Sequence, residues 1–361
     1  MKAIKKILKA LLIVLAMVVL ILVGLIVYAV ITDYKPKAKE IVFTGEKTVN
    51  LNDTAELSIL TWNIGYCGLD KDMDFFYDGG KKVRTPKPRC INNLNAVEKF
   101  LKQNDSVDFV FIQEIDKNSK RSYYLNEYDS LSGVLKTYSP FFAKNYDVFF
   151  VPVPPADPMG KVLSGLATYS KRSPSSSIRY SFPGEYGFPK QLFMLDRCFL
   201  VNRYPLKNGR ELVVINTHNE AFDPGEIRKT QMAYLKDFLI REYNSGNYII
   251  AGGDWNETPP DFKPEFFSNK INTLQMGMPS DYLPSEWKWV YDNSTPSNRT
   301  VIASYDPATT TTTVIDCFLL SPNIEALSVK CISLNFENSD HNPVKIRFKL
   351  KGPKSNIIGH I

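Results

Sequence analysis

Several apolar, β-branched runs of this chain end in a polar side chain, and this pattern restricts the fold more than any other feature. One run leads into Asn63, and others lead into Glu114, His218 and Asp254. Asp254 and Asn256 lie two residues apart, so both point to the same side of an extended chain. Burying such groups without partners is costly. Their recurrence on hydrophobic strands predicts a shared polar site at the strand ends.

Two further segments add to the pattern near the carboxyl end of the chain. Val314-Ile-Asp316 places a carboxylate beside apolar residues, and Ser339-Asp340-His341 precedes the last apolar run. Taken alone, Gln-Glu or Asn after a strand is typical of a solvated turn. Histidine is scarce, with 3 in the chain, and the joint occurrence of the six clusters is therefore the stronger indication of function.

Many short strands and few helices are predicted after residue 56. Helical spacing of apolar residues predicts a helix over 89–103, with Ile91 among its apolar positions, and another over 224–243 that Asp223, Pro224 and Glu226 open. The predicted strands cover 57–64, 108–114, 146–153, 164–170, 197–204, 211–217, 247–253, 313–320, 327–334 and 343–350.

The amino-terminal segment predicts a membrane anchor. Ala10 to Ile31 carry no charge, and such a run spans about 33 Å as a helix, against a hydrocarbon core of ~30 Å. A cleaved signal peptide is the alternative, but the run is long for one and its cleavage motif is poor. A basic tail over 1–9 precedes the span and a polar linker over 32–56 follows it. The slight excess of lysine before the span places the bulk of the protein outside the cell membrane.

Charge and cysteine content limit the remaining possibilities. The formal net charge of +6 comes mostly from residues 1–40, which hold seven Lys against Asp33 and Glu40, so the rest is close to neutral. A dedicated nucleic-acid-binding domain usually carries a basic excess. The 5 cysteines include no C-x-x-C pair, a pattern that favours neither a disulfide framework nor a thiolate zinc site.

The six clusters together resemble the endonuclease/exonuclease/phosphatase superfamily, typified by deoxyribonuclease I. This resemblance covers about residues 57–350 and implies an α/β (α+β) fold: a four-layer sandwich of two packed mixed β-sheets with outer helices, here preceded by one transmembrane helix. The catalytic domain would span 57–351, with a tail over 352–361. The motifs that carry the resemblance are Thr61-Trp62-Asn63, Gln113-Glu114, Asn216-Thr217-His218, Gly253-Asp254-Trp255-Asn256, Ile315-Asp316 and Ser339-Asp340-His341.

The resemblance also implies a role for each site residue. Glu114, Asn63 and Asp340 would bind Mg²⁺ or Mn²⁺, for which oxygen ligands are suited. The catalytic residues would be five. His341, oriented by Asp316, would act as general base or transition-state donor. Asp254 and Asn256 would position the water and bind the phosphoryl oxygen, and His218 would donate to a substrate oxygen.

Two loops beside these motifs are candidate substrate-binding segments. Residues 74–84 follow the Asn63 strand and residues 120–124 follow Glu114, so Arg121 and Tyr124 are candidates to contact substrate, as is Arg197 at the start of a strand. Solvated loops with packed tyrosines are the alternative interpretation. The motifs that accompany Asp-x-Asn in inositol polyphosphate 5-phosphatases are absent from the sequence, which disfavours inositol phosphates as substrates.

The sequence thus predicts a membrane-anchored, divalent-metal-dependent hydrolase of a phosphodiester or phosphomonoester, with a lipid head group or small phosphoester as substrate. A nonspecific Mg²⁺-dependent nuclease is the alternative, since nucleic acid is possible but not favoured. A catalytically inactive phosphate-binding module is a third reading. The oligomeric state is left open.

Overall fold

A computed structural model describes residues 2–49, 51–223, 225–263 and 276–352. Its α-helices are α1 (Lys2–Thr32), α2 (Lys87–Gln103), α3 (Glu127–Val134) and α4 (Glu226–Asn244). The strands of the first half are β1 (Lys39–Thr44), β2 (Glu56–Asn63), β3 (Phe109–Asp116), β4 (Ser139–Val151), β5 (Gly160–Ser170) and β6 (Ser176–Ser181). Those of the second half are β7 (Cys198–Pro205), β8 (Glu211–His218), β9 (Tyr248–Asp254), β10 (Lys288–Val290), β11 (Asn298–Arg299), β12 (Thr312–Thr313), β13 (Asp316–Leu320), β14 (Ile324–Cys331) and β15 (Val344–Leu350).

The strands form two mixed sheets that pack face to face. The first has the order β1-β6-β7-β8-β9-β13-β10 and the second the order β14-β15-β2-β3-β5-β4. Each sheet contains one parallel pair, β8 with β9 and β2 with β3. A shared apolar core between the sheets includes Phe111, Val214, Ile250 and Phe348, all fully buried. Because residues on one face of a strand alternate with those on the other, each strand also supplies a second apolar face to the helices.

Those outer faces are covered by helices, which completes four layers. On the second sheet, α2 and α3 contribute Leu94, Val97 and Leu131. On the first sheet, α4 contributes Leu235 and Phe238. The predicted four-layer sandwich of two mixed sheets with outer helices is therefore confirmed.

The two predicted helices occur, with small differences. Helix α4 begins where the Asp223 carboxylate accepts hydrogen bonds from the backbone N–H groups of Gly225 at 2.7 Å and Ile227 at 2.9 Å, as expected of an amino-terminal cap. Pro224, which was predicted to help open this helix, lies outside the described residues. In α2, Ile91 is 37% exposed, because it lies on the outer side of a helix whose inner side packs on the sheet.

The predicted linker over 32–56 was wrong in part. Residues 39–44 form β1, which pairs antiparallel with β6 at the edge of the first sheet. The short run Ile41-Val42-Phe43 is flanked by lysines, and Val42 and Phe43 pack on the core while Ile41 is exposed. A segment of this length shows too little alternation of apolar and polar residues to be predicted as a strand. Strand β6, the short strands β10 and β11, and helix α3 were likewise not predicted.

Helix α1 is the one helix in the described part of the chain that is long and apolar enough to cross a membrane, judged by length and composition. It starts at Lys2, so residues 2–9 of the predicted basic tail are already part of the helix. Near its other end, the Tyr28 ring contacts the Phe149 ring of β4 with centroids 4.4 Å apart. The predicted tail over 352–361 lies outside the described residues from residue 353 onward.

Candidate active site

The strand ends bring the predicted polar residues to one end of the sandwich. Asn63 ends β2, His218 ends β8 and Asp254 ends β9, and the parallel pairing points the ends of β8 and β9 the same way. Strand β13 runs antiparallel to β9 and begins there, with Asp316 directly opposite Asp254. Both sheets therefore contribute to a single cluster.

Glu114 reaches this cluster through an irregularity in β3. The pairing of β3 with β5 shifts register between Ile112 and Ile115, and Glu114 adopts a positive φ of 52°. A non-glycine residue in this left-handed region costs about 1–3 kcal/mol and is common at functional sites. The preceding Gln113 is held between the sheets by donating to the Asn216 side-chain oxygen at 2.7 Å. The bulge lets the carboxylate of the next residue face the cluster.

An amide and two carboxylates form the centre of the cluster. The side-chain Nδ2 of Asn63 donates to Glu114 Oε1 at 3.2 Å and to Asp254 Oδ2 at 2.9 Å. Its Oδ1 accepts from the backbone N–H of Gly65 at 3.0 Å. A side chain at position 65 would lie 2.9 Å from Asp340 Oδ1, and Gly65 has a positive φ of 50°. The glycine is therefore required for both conformation and close approach.

His218 lies against these carboxylates as a neutral imidazole. Its Nε2 is 3.8 Å from Glu114 Oε1 and 3.6 Å from Asp254 Oδ2. Burial lowers the pKa of His218 well below its ordinary value, and the nearby cations Arg197 and His341 lower it further. A neutral imidazole carries one N–H, which it can donate to an oxygen of a bound phosphate.

His341 has the opposite electrostatic character. Its Nδ1 is 2.8 Å from Asp316 Oδ2, and its Nε2 is 3.7 Å from Asp254 Oδ2. Burial alone would lower the pKa of His341, but the carboxylates of Asp316, Asp254 and Asp340 outweigh burial and raise it well above the ordinary value. The three carboxylates therefore favour the protonated form of this ring, whose Nε2 faces Asp254.

The remaining two predicted residues complete the site. The backbone N–H of Asn256 donates to Asp254 Oδ1 at 2.9 Å, and its side chain donates to the Asn219 carbonyl at 2.9 Å. Asn256 also has a positive φ, 54°. Burial raises the pKa of Asp340 to about 7. The Glu114 charge also raises it, whereas His341 and Arg299 lower it. The eight residues of the predicted cluster thus lie together.

The donors in this cluster fit a hard divalent cation. Glu114, Asp340 and Asp254 crowd negative charge into one volume, and burial raises the pKa of both aspartates. Asp254, Asp316 and His341 also place ligand atoms within 4.8 Å of one another. In that group, Asp316 Oδ2 already accepts from His341 and from the Ser297 hydroxyl at 2.7 Å. Glu114, which accepts from Asn63, and Asp340 offer further carboxylate oxygens to a cation.

The sequence of the chain matches the Endonuclease/Exonuclease/phosphatase family over residues 60–341. The chain belongs to this family. It is therefore a hydrolase of phosphoric ester bonds, from a family whose enzymes generally use divalent metals. The match contains all eight residues of the cluster, from Asn63 to His341. No curated protein matches the chain.

Solved structures share the fold at low sequence identity. An endonuclease/exonuclease/phosphatase from Beutenbergia cavernae is 18% identical with a TM-score of 0.55, over 82% of this chain and 72% of that one. D. rerio TDP2, complexed with a single-strand DNA product, is 15% identical with a TM-score of 0.51, over 81% and 99%. ANGEL2, a 2',3'-cyclic phosphatase, is 16% identical with a TM-score of 0.52, over 88% and 99%. Such different substrates on one fold mean that the fold alone does not define the substrate.

The three candidate substrate-binding residues lie in different environments. Arg121 was predicted at the mouth, but it is buried and donates to both carboxylate oxygens of Asp116, at 3.1 and 2.9 Å. The sequence pattern did not reveal this pair, because Asp116 lies two residues beyond Glu114 in an irregular strand. Tyr124 is 56% exposed. Arg197 is buried beside the site, with Nε 3.6 Å from Glu220 Oε2.

The structure adds residues that the sequence did not single out. Ser297 donates to Asp316, and the side-chain amide of Asn298 lies 3.0 Å from His341 Nε2. Asn298 Nδ2 also donates to the Asp340 carbonyl at 3.4 Å, so this amide links the backbone to the edge of the His341 ring. The signal that could have found them is weak, since Pro296-Ser297-Asn298 looks like an ordinary turn.

The loop over 74–84 reaches the mouth of the site. Partial burial and the nearby Glu114 charge raise the pKa of Asp78, on this loop, to about 6. Next to it, the Tyr77 ring lies against the Phe222 ring with centroids 5.9 Å apart. Phe222 follows the β8 strand, so the two rings join loops from opposite sheets at the rim.

Proposed function

We propose that the chain is a membrane-anchored, divalent-metal-dependent phosphoesterase whose catalytic residues are the eight of the cluster. The observation that carries the proposal is their convergence: Asn63 contacts both Glu114 and Asp254, and Asp254 faces both histidines within 3.7 Å. Hydrolysis of a phosphoester requires charge neutralisation, an oriented water and a proton donor. Each requirement has a matching group in the cluster.

Glu114, Asn63 and Asp340 would hold Mg²⁺ or Mn²⁺, which supplies positive charge to offset the phosphoryl oxygens when bound. The imidazolium of His341 donates a hydrogen bond from Nε2 to a phosphoryl oxygen. Its Nδ1–H stays on Asp316, which fixes the orientation of the ring. This assignment follows the raised pKa of His341, which favours the transition-state donor over the general base.

Asp254 is the group best placed to orient the attacking water and accept its proton. Burial raises its pKa, and a carboxylate of raised basicity takes a proton more readily. Asn256 binds a phosphoryl oxygen beside it, and neutral His218 donates its single N–H to a second oxygen. Of the predicted substrate-binding residues, Arg197 and Tyr124 remain proposals, and Arg121 is a structural residue through Asp116.

The enzymatic proposal is tested on the full chain in a non-ionic detergent. Activity toward a chromogenic phosphodiester should disappear in EDTA and return with Mg²⁺ or Mn²⁺. Glu114→Gln and His341→Ala should each abolish most of it, whereas Glu325→Gln on exposed strand β14 should leave it unchanged. Unchanged activity in the first two variants would mean that the cluster is not catalytic, as expected of a phosphate-binding module.

The substrate is proposed to be a lipid head group or another small phosphoester. The near-neutral folded part and the apolar helix α1 support this choice over long nucleic acid. Sphingomyelin, short phosphodiesters and plasmid DNA, compared under the same Mg²⁺ conditions, separate these possibilities. Preferential cleavage of plasmid DNA would favour the nuclease instead.

The catalytic domain is proposed to lie outside the cell membrane, with α1 as a single span. All five native cysteines are buried, so a cysteine introduced at exposed Ser328 would provide a specific label. A membrane-impermeant maleimide should label Ser328→Cys in intact cells. Labelling only after lysis would place the domain inside.

A further inference from the structure

A cavity of about 460 Å³ lies beside the active site and is used by none of the catalytic residues. Its wall includes Asp33 and Tyr34, which directly follow α1, and Arg197, which directly precedes β7. Strand β7 pairs antiparallel with β8, with Cys198 opposite His218. The cavity therefore opens at the same end of the sandwich as the catalytic cluster, next to the carboxyl end of α1.

Carboxylates outnumber cations in one part of this cavity, where Lys35 is the cation close to Asp33. Asp33, Glu185 and Asp196 all line it, and none of them takes part in an ion pair within the described ranges. Burial raises the pKa of Asp196 to about 7. The charges of Asp33 and Glu185 raise it further, whereas those of Arg179 and Lys144 lower it. Mutual repulsion of this kind indicates that an external positive charge would be stabilised there.

Aromatic rings accompany these carboxylates. Tyr186 and Phe188 line the same cavity, and Phe188 is 64% exposed. The ammonium group of Lys190 lies 3.7 Å from the centre of the Tyr186 ring, so one face of this ring is in contact with a cation. Carboxylates together with aromatic faces form the usual environment for an ammonium ligand.

A second, independent observation points to an anion in the same cavity. Arg197 is 4% exposed, and its Nε and Nη1 are buried without a hydrogen-bond acceptor among the described residues. Glu220 Oε2 forms an ion pair with Nε at 3.6 Å, while Glu220 Oε1 accepts from the Tyr186 hydroxyl and two backbone N–H groups. Nη1 is left without an acceptor in the described part of the chain. A buried guanidinium with unsatisfied donors is well suited to bind a phosphate.

We propose that this cavity binds the zwitterionic head group of a phospholipid, with the phosphate at Arg197 and the ammonium at Asp33, Glu185 and Asp196. The occupant is taken to come from the membrane surface, because residues 33 and 34 are the first after the apolar helix α1. A chain that ends its membrane span at the cavity wall brings lipid head groups to the cavity entrance. The source of the ligand rests on the proposed anchoring, whereas the binding chemistry does not.

The test uses the full chain in a non-ionic, uncharged detergent with EDTA, so that no hydrolysis takes place. Binding of phosphocholine, phosphoethanolamine, choline and inorganic phosphate is measured by calorimetry. A zwitterion that contacts both halves of the cavity should bind at least about tenfold more tightly than choline or phosphate alone. The preferred amine identifies the head group, and tighter binding of either zwitterion supports the proposal.

Variants then locate the binding site. Asp33→Asn combined with Asp196→Asn should weaken zwitterion binding about tenfold or more while leaving phosphate binding unchanged. These substitutions remove like-charge crowding, so the fold should persist, and the melting temperature checks this. Glu286→Gln combined with Glu325→Gln, which also removes two carboxylates at exposed positions, is the charge-matched control.

Glu114→Gln distinguishes this cavity from the catalytic cluster, because it should leave zwitterion binding intact. Binding that is lost in Glu114→Gln but retained in the double variant would overturn the proposal, as would a zwitterion that binds no more tightly than phosphate. Failure of the catalytic proposal is read separately, from activity in Mg²⁺ without EDTA.

Discussion

Replacing Asp316 by Asn tests the role of the imidazolium most directly. The Asp316 carboxylate accepts from His341 Nδ1 at 2.8 Å and from Ser297 Oγ at 2.7 Å. An asparagine keeps the shape and one oxygen acceptor but removes the charge. An adjacent opposite charge shifts a pKa by about 1–3 units, or about 1.4–4 kcal/mol. We therefore expect the pKa of His341 to fall by that amount in Asp316→Asn.

The expected kinetic result follows from the sign of that shift. If protonated His341 is the donor, activity is lost as pH rises through its pKa, so a lower pKa moves the alkaline limb to lower pH by about 1–3 units. Loss of a well-placed proton donor reduces kcat by about 10²–10⁴-fold. The measurement is kcat and kcat/KM for a chromogenic phosphodiester with Mg²⁺, across about pH 5 to 10.

Two controls make the result interpretable. Asp316→Ala removes the orienting oxygen as well as the charge, so it should reduce kcat further than Asp316→Asn. Asp72→Asn removes an exposed carboxylate, and its pH profile should match that of the parent protein. An alkaline limb that does not move in Asp316→Asn would refute the donor assignment. Movement of the acid limb alone would instead identify His341 as a general base.

Three further predictions follow from burial and charge. Burial raises the pKa of Asp340 from 3.8 to about 7. Its ionisation therefore lowers the free energy of unfolding by up to about 4 kcal/mol above pH 7 and has no effect below about pH 3.8. Asp340→Asn should then raise the melting temperature in EDTA at pH 8 and reduce the additional stabilisation by Mg²⁺; a variant that melts no higher would contradict the raised pKa. Arg121→Met should lower the free energy of unfolding by about 3–5 kcal/mol, since it leaves the Asp116 carboxylate buried without its partner; urea unfolding measures this, and a change in KM with unchanged stability would restore the substrate-binding role. Tyr77→Ala and Phe222→Ala, at the rim, should raise KM several-fold for substrates with a large apolar group and leave kcat nearly unchanged, and equal KM values for large and small substrates would contradict a substrate contact.

The sequence predicted the eight polar residues because each stands within a few residues of an end of an apolar strand. Asn63, His218 and Asp254 are the last residues of their strands in the structure. Burial makes such a pattern conspicuous, since a carboxylate or imidazole beside a core strand needs a partner. The layer count of the fold came from the resemblance to a superfamily and was not evident from the strands alone.

What the sequence did not reveal depends on long-range pairing. Arg121 lies in a polar loop, and only the folded chain shows that Asp116 pairs with it. Strand β1 is six residues long, and it is a strand because β6 offers it an edge. Likewise, nothing in the sequence around Arg197 indicates its partners, because Glu220 and His218 lie beside it only in the folded chain.

The catalytic cluster draws members from both sheets, and this has a consequence for how the enzyme can be divided. Asn63 and Glu114 belong to one sheet, and His218, Asp254 and Asp316 belong to the other. A polypeptide severed between β5 and β6 would yield two fragments, each holding an incomplete set of reacting groups. Neither fragment alone can therefore assemble the whole site, and catalysis requires both parts of the chain to fold together.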